Sequence, residues 1–284
     1  MKYAICNELF ENWPFERVCR FCSELGYEGL ELAPFTLAPL ITDLDASQRA
    51  ELRKQAADAG IAIIGLHWLL AGTTGLHLTS PDAGGRERTA AYLVALAEAT
   101  RDLGGDLMVF GSPKQRSLMA GVDWPQAFDY ATDTFRRAIH AVADAGVTIC
   151  MEPLAPVETD FVNTCEEGLR LVGAVGHPNF VLHLDVKAMS SESRPITDLI
   201  RSYVPHTGHF HANDPNRRGP GFGDVDFVPI FQALRDAGYD RWVSVEVFDY
   251  SPDAETVARQ SLENMRRAER ALEARGRQAT PEKA

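Results

Sequence analysis

Residues 145–153 read AGVTICMEP and residues 177–185 read HPNFVLHLD. In each, a helix breaker precedes a short apolar run that closes on one acid, Glu152 or Asp185. The same construction returns at HTGHFHAND (206–214), where the run reaches His211, and at AGYDRWVSVEV (237–247), where it reaches Glu246. Upstream it appears as LGYEGLELAP (25–34), AGIAIIGLHW (59–68) and LGGDLMVFG (103–111), and KYAICN (2–7) supplies one more strand. Between them lie segments of helical periodicity, at 14–25, 46–59, 81–103, 124–145, 164–175, 195–203, 226–237 and 252–274. Strands that alternate with helical segments argue for parallel βαβ units. Eight such units predict a single α/β domain, a closed (β/α)8 barrel over residues 1–274, followed by a polar C-terminal tail at 275–284. Glycine after a helix suits its left-handed C-terminal position. Pro14, Pro81 and Pro252 are expected in first turns, and Asp224-Val225-Asp226 is expected to lead into and cap a helix.

Strand parity then orients the side chains, because successive residues face opposite sides of a sheet. Glu152 shares a face with Cys150 and Thr148, Asp185 with His183, His211 with His209, and Glu246 with Ser244. The alternate positions are apolar and suit the helical shell, so the polar sets point into the barrel. Active sites of this fold lie at the C-terminal strand ends. Four ionisable residues on consecutive strands, at the right end and on the right face, read as ligands of one divalent cation. Three carboxylates and one imidazole favour a hard ion, Mn2+ first, with Mg2+, Co2+ or Zn2+ as alternatives. Such an ion polarises a carbonyl, and a flanking carboxylate then passes a proton on the adjacent carbon.

Composition excludes other classes. With 45% hydrophobic and 24% charged residues, the chain has the make-up of a soluble globule. A net charge of −12 argues against nucleic acid as a partner. No apolar run approaches the ~18–20 residues that cross a bilayer, so no membrane partner is expected. Met1-Lys2 is followed by a strand and then by Glu8, Glu11 and Glu16, which does not read as a signal peptide. The expected location is cytoplasmic. Cys6, Cys19, Cys22, Cys150 and Cys165 are too scattered for a disulfide framework, and Cys19 and Cys22 recur with Phe15, Val18 and Leu25 at helical spacing, as core residues do.

The pattern resembles the xylose-isomerase-like TIM-barrel superfamily of sugar phosphate isomerases and epimerases, and within it the D-tagatose 3-epimerase/D-psicose 3-epimerase group. The resemblance spans nearly the whole chain. It rests on LTSPD (78–82), Glu152 with Glu158, Asp185, the His209/His211 pair, Asn216-Arg217 and Glu246. It implies a metal held by Glu152, Asp185, His211 and Glu246, with Glu152 and Glu246 as acid and base. It further implies that Glu158 and Arg217 contact a small carbohydrate substrate, and it is compatible with a homodimer or homotetramer. The activity expected is a divalent-metal-dependent isomerase or epimerase working through an enediolate. A lyase or dehydratase acting on a keto-sugar, 3-keto-glycoside or inosose is the alternative. A DNA-repair enzyme on the same barrel needs a larger histidine cage, and here the fourth strand ends in Phe110-Gly111.

One departure bears on substrate. Asp185-Val186-Lys187-Ala188 carries alanine where the epimerase pattern has histidine, and Lys187 is expected to supply another polar contact. His67 and Glu31, inward by parity, and Arg116, in the loop after strand four, complete the expected substrate contacts. His183 and His209 lie one layer deeper and read as core or supporting groups. Gly219-Pro220-Gly221-Phe222-Gly223 reads as a turned or mobile lid, and Trp13, Trp68 and Trp124 fall near the barrel mouth.

Overall fold

The computed structural model describes residues 1–279. Eight parallel strands close into a barrel in chain order, with β1 (Lys2–Cys6) pairing both β2 (Gly29–Leu32) and β8 (Trp242–Val245). The intervening strands are β3 (Ala62–Leu66), β4 (Leu107–Phe110), β5 (Thr148–Met151), β6 (Phe180–Asp185) and β7 (Thr207–Ala212). Around them run α1 (Phe15–Leu25), α2 (Ala46–Asp58), α3 (Ala83–Leu103), α4 (Trp124–Asp144), α5 (Cys165–Val175), α6 (Val186–Met189), α7 (Ile196–Tyr203), α8 (Phe227–Asp236) and α9 (Ala254–Ala279). The predicted (β/α)8 architecture is the one observed. Among the described residues, no helix is long and apolar enough to cross a membrane.

The differences lie at helix ends. The last helix continues through Ala279, five residues past the expected boundary, and positions 280–284 of the expected tail lie outside the described residues. Pro81 and Pro252 precede their helices, because Asp82 and Asp253 take the capping role, accepting from Gly85 N at 2.8 Å and Thr256 N at 2.7 Å. Pro14 is itself the residue before α1. Asp226 caps α8 through Val228 N at 2.9 Å. Asp45 with Gln48, and Asp123 with Gln126, form reciprocal capping boxes on α2 and α4. Gly26, Gly104 and Gly176 end α1, α3 and α5 at φ 95°, 97° and 70°, where a Cβ would be strained. The short α6 has no counterpart in the sequence pattern.

The main core lies between the outer strand faces and the helices, with Phe110, Phe135 and Phe180 in aromatic contact within it. Each fully buried side chain of this kind contributes roughly 1.5–3 kcal/mol. Cys19 and Cys22 face this core as free thiols. Inside the barrel, the lower layer is apolar, built from Leu107, Val109 and Cys150. The upper layers are polar, and the site is built there.

Candidate active site

The upper interior is tied together by Glu31 of β2, which is fully buried. Its Oε2 lies 2.8 Å from His209 Nε2 and 3.1 Å from His211 Nε2. This carboxylate fixes both rings and leaves His211 Nδ1 free, 3.3 Å from Glu246 Oε2 and 4.0 Å from Asp185 Oδ2. Asp185 is anchored in turn. Its Oδ2 accepts from Asn213 Nδ2 and its Oδ1 from Ala188 N, both at 2.6 Å. Asn213 Oδ1 also accepts from Lys187 N at 2.8 Å, so β6 and β7 hold each other's tips in place. Opposite, Glu246 Oε1 lies 3.3 Å from His67 Nδ1, and His67 Nε2 lies 2.9 Å from Glu8 Oε2.

Burial, followed by repulsion from Glu246 and Asp185, pushes the Glu152 carboxyl well above its ordinary range. Burial also raises Asp185. Burial alone would raise Glu246 too, but His211 and His67 beside it hold it low. Glu152 and Glu246 are therefore displaced in opposite directions, an arrangement suited to acid and base roles.

The donor set fits a cation. Glu152, His183, Asp185 and His211 bring ligand atoms within 4.8 Å of one another. His211 Nδ1 and Glu246 Oε2 are buried without any hydrogen-bond partner. A cation placed among these buried atoms would satisfy them.

Glu152, Glu246 and His67 border one narrow cleft with Trp68, Ser112, Glu158 and Phe248. Gly111 is required at its rim, because a Cβ there would come 2.3 Å from Glu152 Oε2. Lys187 Nζ pairs with Glu158 Oε2 at 2.6 Å and lies 4.8 Å from the Phe248 ring centre. Ala188 is buried beneath them.

Several expected contacts fall elsewhere. Arg116 does not reach the cleft. It is fully buried, and its five N–H groups are taken by backbone carbonyls: Phe161 O at 3.1 and 2.8 Å, Gly111 O at 3.2 Å, and Glu152 O and Val162 O at 2.6 Å. Glu31 supports two histidines and does not line the cleft. Arg217 is exposed, with its guanidinium carbon 5.9 Å from the centre of the Phe248 ring, and it takes a positive φ of 69°. Its carbonyl accepts from Phe248 N and Asp249 N at 2.9 and 3.0 Å. The 219–223 segment is a pinned turn, with Gly221 N donating to Asp214 at 3.0 Å and Asn264 donating to Pro220 O at 2.8 Å. Trp124 stacks on Phe128 at the start of α4 and not over the cleft. His183, expected deeper, joins the candidate ligand group, with Nε2 3.9 Å from Glu152 Oε1. Glu8 and Asn213 were not singled out from sequence. Asn213 directly follows the His211 strand tip, which was the available signal.

A model of the xylose isomerase-like TIM barrel family matches residues 19–268. The chain belongs to that family. It is 30% identical over 273 residues to a D-psicose 3-epimerase of Agrobacterium fabrum, covering 87% of this chain and 85% of the relative. It is 31% identical over 232 residues to a D-psicose 3-epimerase of Ruminiclostridium cellulolyticum, covering 80% and 75%. A crystal structure of D-psicose 3-epimerase with D-tagatose from Clostridium cellulolyticum H10 superposes with a TM-score of 0.84 at 23% identity, over 94% of this chain and 99% of that one. At that identity the superposition speaks for the shared barrel.

Proposed function

We propose that this chain is a divalent-metal-dependent ketose epimerase, in which Glu152 and Glu246 move a proton on the carbon beside a carbonyl. The coarser statement, an enzyme of the isomerase/epimerase class, follows from its 3-epimerase relatives. The observation that carries the finer reading is that Glu152 and Glu246, at the tips of β5 and β8, border one cleft beside the converging donors of Asp185 and His211. A sugar between them has one carboxyl on each side, so a proton removed at one is replaced from the other and the carbon inverts. Glu152, Asp185, His211 and Glu246 would hold the cation, with His183 adjacent. When bound, the ion polarises the carbonyl and neutralises charge that develops on the substrate oxygens.

The remaining residues orient the reacting groups. His67, clamped between Glu8 and Glu246, fixes the Glu246 carboxylate. Lys187 and Glu158 offer an ammonium donor and a carboxylate acceptor to hydroxyls at the cleft edge, where the removal of a histidine side chain leaves Ala188. The cleft has a free volume of only about 10 Å3, room for about one water, so Trp68, Phe248 and the Lys187–Glu158 pair separate when a sugar enters.

The test is incubation with D-psicose and other ketoses in D2O with added Mn2+, read by NMR. Deuterium at the inverted carbon is expected, with turnover lowered ~10²–10⁴-fold in Glu152→Gln and in Glu246→Gln. Turnover near wild type in both variants would refute the two-carboxyl mechanism.

A further inference from the structure

A second cavity of about 430 Å3 opens beside the cleft, between the β1–α1, β2–α2 and β8–α9 loops. Its size is that of a small-molecule site, ~300–1,000 Å3, whereas the cleft itself is nearly closed. The walls carry Phe10, Trp13, Phe35 and Tyr250, with Glu8 and Glu11 among them. One chain of contacts connects this cavity to the reaction centre. Glu8 lines the cavity and contacts His67, which contacts Glu246, so two side chains separate the two spaces. Tyr250 lines the same cavity, and burial, then the charges of Glu8 and Glu11, push its phenol up. Glu8 is 7% exposed, and its Oε1 has no hydrogen-bond partner.

We infer that this cavity is a subsite for a second hydroxylated ring, and that the preferred substrate is a ketose carrying a glycosidic substituent distal to its reacting carbon. The inference rests on the epimerase reading for its ketose half. Aromatic faces beside carboxylate acceptors match a sugar ring, whose C–H face packs on the rings and whose hydroxyls donate to the acids. A cationic substituent fits less well, since the cation slot on Trp13 is already filled by Arg17, 3.5 Å from the ring centre and outside this cavity. Phe35, 44% exposed at the rim, is an uncovered apolar surface that a second ring would bury.

The test is equilibrium binding of three glucosyl-fructoses, maltulose, leucrose and isomaltulose, against D-fructose. It uses calorimetry on the Mn2+-supplemented full chain, with C3 epimerisation followed in parallel. At least one disaccharide is expected to bind about 10-fold or more tightly than D-fructose. Phe35→Ser and Glu11→Gln, both away from the reaction centre, are expected to remove most of that preference and leave D-fructose binding unchanged. Equal binding of D-fructose and all three disaccharides would overturn the subsite, as would a preference that survives in both variants. If the preference and its loss are observed while no ketose, free or substituted, is epimerised, the subsite stands and the epimerase reading fails.

Discussion

Replacing Arg116 with methionine separates two roles for this residue. A substrate contact would leave stability unchanged and raise KM. The structure instead makes Arg116 a clamp that joins the tip of β4, the tip of β5 and the loop bearing Glu158. Burial pulls its guanidinium down to about 10, with Glu152 and Glu158 opposing that fall, so it remains charged at neutral pH. Five hydrogen bonds from a charged donor contribute gross roughly 8–15 kcal/mol at ~1.5–3 each. Desolvation of the guanidinium offsets several kcal/mol of this. Val162 O keeps a second partner, Leu154 N at 3.2 Å, which trims the loss further. The net destabilisation expected for Arg116→Met is about 3–5 kcal/mol, or roughly 6–12 °C in Tm for a chain of this size. Arg116→Lys, with three donors on one nitrogen, should recover less than half. Differential scanning calorimetry reads both. A Tm for Arg116→Met within about 2 °C of wild type, together with a raised KM, would return Arg116 to the substrate.

Gly111→Ala should push Glu152 aside, lowering kcat by about 10- to 100-fold while the Tm stays within a few degrees, since a displacement near 1 Å is costly in catalysis; steady-state kinetics and a melting curve check it. Glu31→Gln removes the carboxylate that fixes His211 and should weaken divalent-metal affinity by about 10- to 100-fold, measured by titration with Mn2+. Burial lifts the Cys19 and Cys150 thiols to about 12, and all five cysteines are buried. Ellman's reagent at pH 8 should therefore label none of them in the native protein and all of them in guanidinium. Rapid native labelling of even one thiol would contradict the packing of its element.

The strand tips were legible because they obey two simple rules at once, a period of two and a C-terminal end. Glu152, Asp185, His211 and Glu246 follow both. Residues beyond the tips escape this logic. Glu8 sits in a 3-10 turn at Asn7–Leu9, where strand parity no longer applies, and it reaches His67 only because β1 and β3 flank the same corner of the barrel. Arg116 follows a 3-10 turn at Pro113–Gln115 that begins with a local reversal at Ser112, at a left-handed φ of 42°, and its side chain lies inward against Glu152 O. Periodicity carries no trace of such a reversal. His183 has inward parity, as expected, but its grouping with Glu152 depends on the register of β6 against β5, with Leu182 opposite Met151, which no single strand's pattern carries.

The distribution of charge along the barrel axis explains why such a site is tolerated. Glu8, Glu31, Glu152, Asp185 and Glu246 are all buried around one mouth. Burial opposes charge on the four histidines that face them; the carboxylates outweigh it at His67 and His211, which are raised, but not at His183 and His209, which are held low, so two imidazoles face five acids. An interior of this kind destabilises the fold, because buried carboxylates repel one another and lose their hydration. Leu107, Val109 and Cys150 of the lower barrel and the much larger apolar core under the helical shell supply the stability that the mouth lacks. A cation held by Glu152, Asp185, His211 and Glu246 would relieve the repulsion and serve the reaction together. An amide at Glu152, whose carboxyl burial and its acidic neighbours push up, would then stabilise the metal-free chain while lowering turnover, the trade-off expected where function requires strained electrostatics.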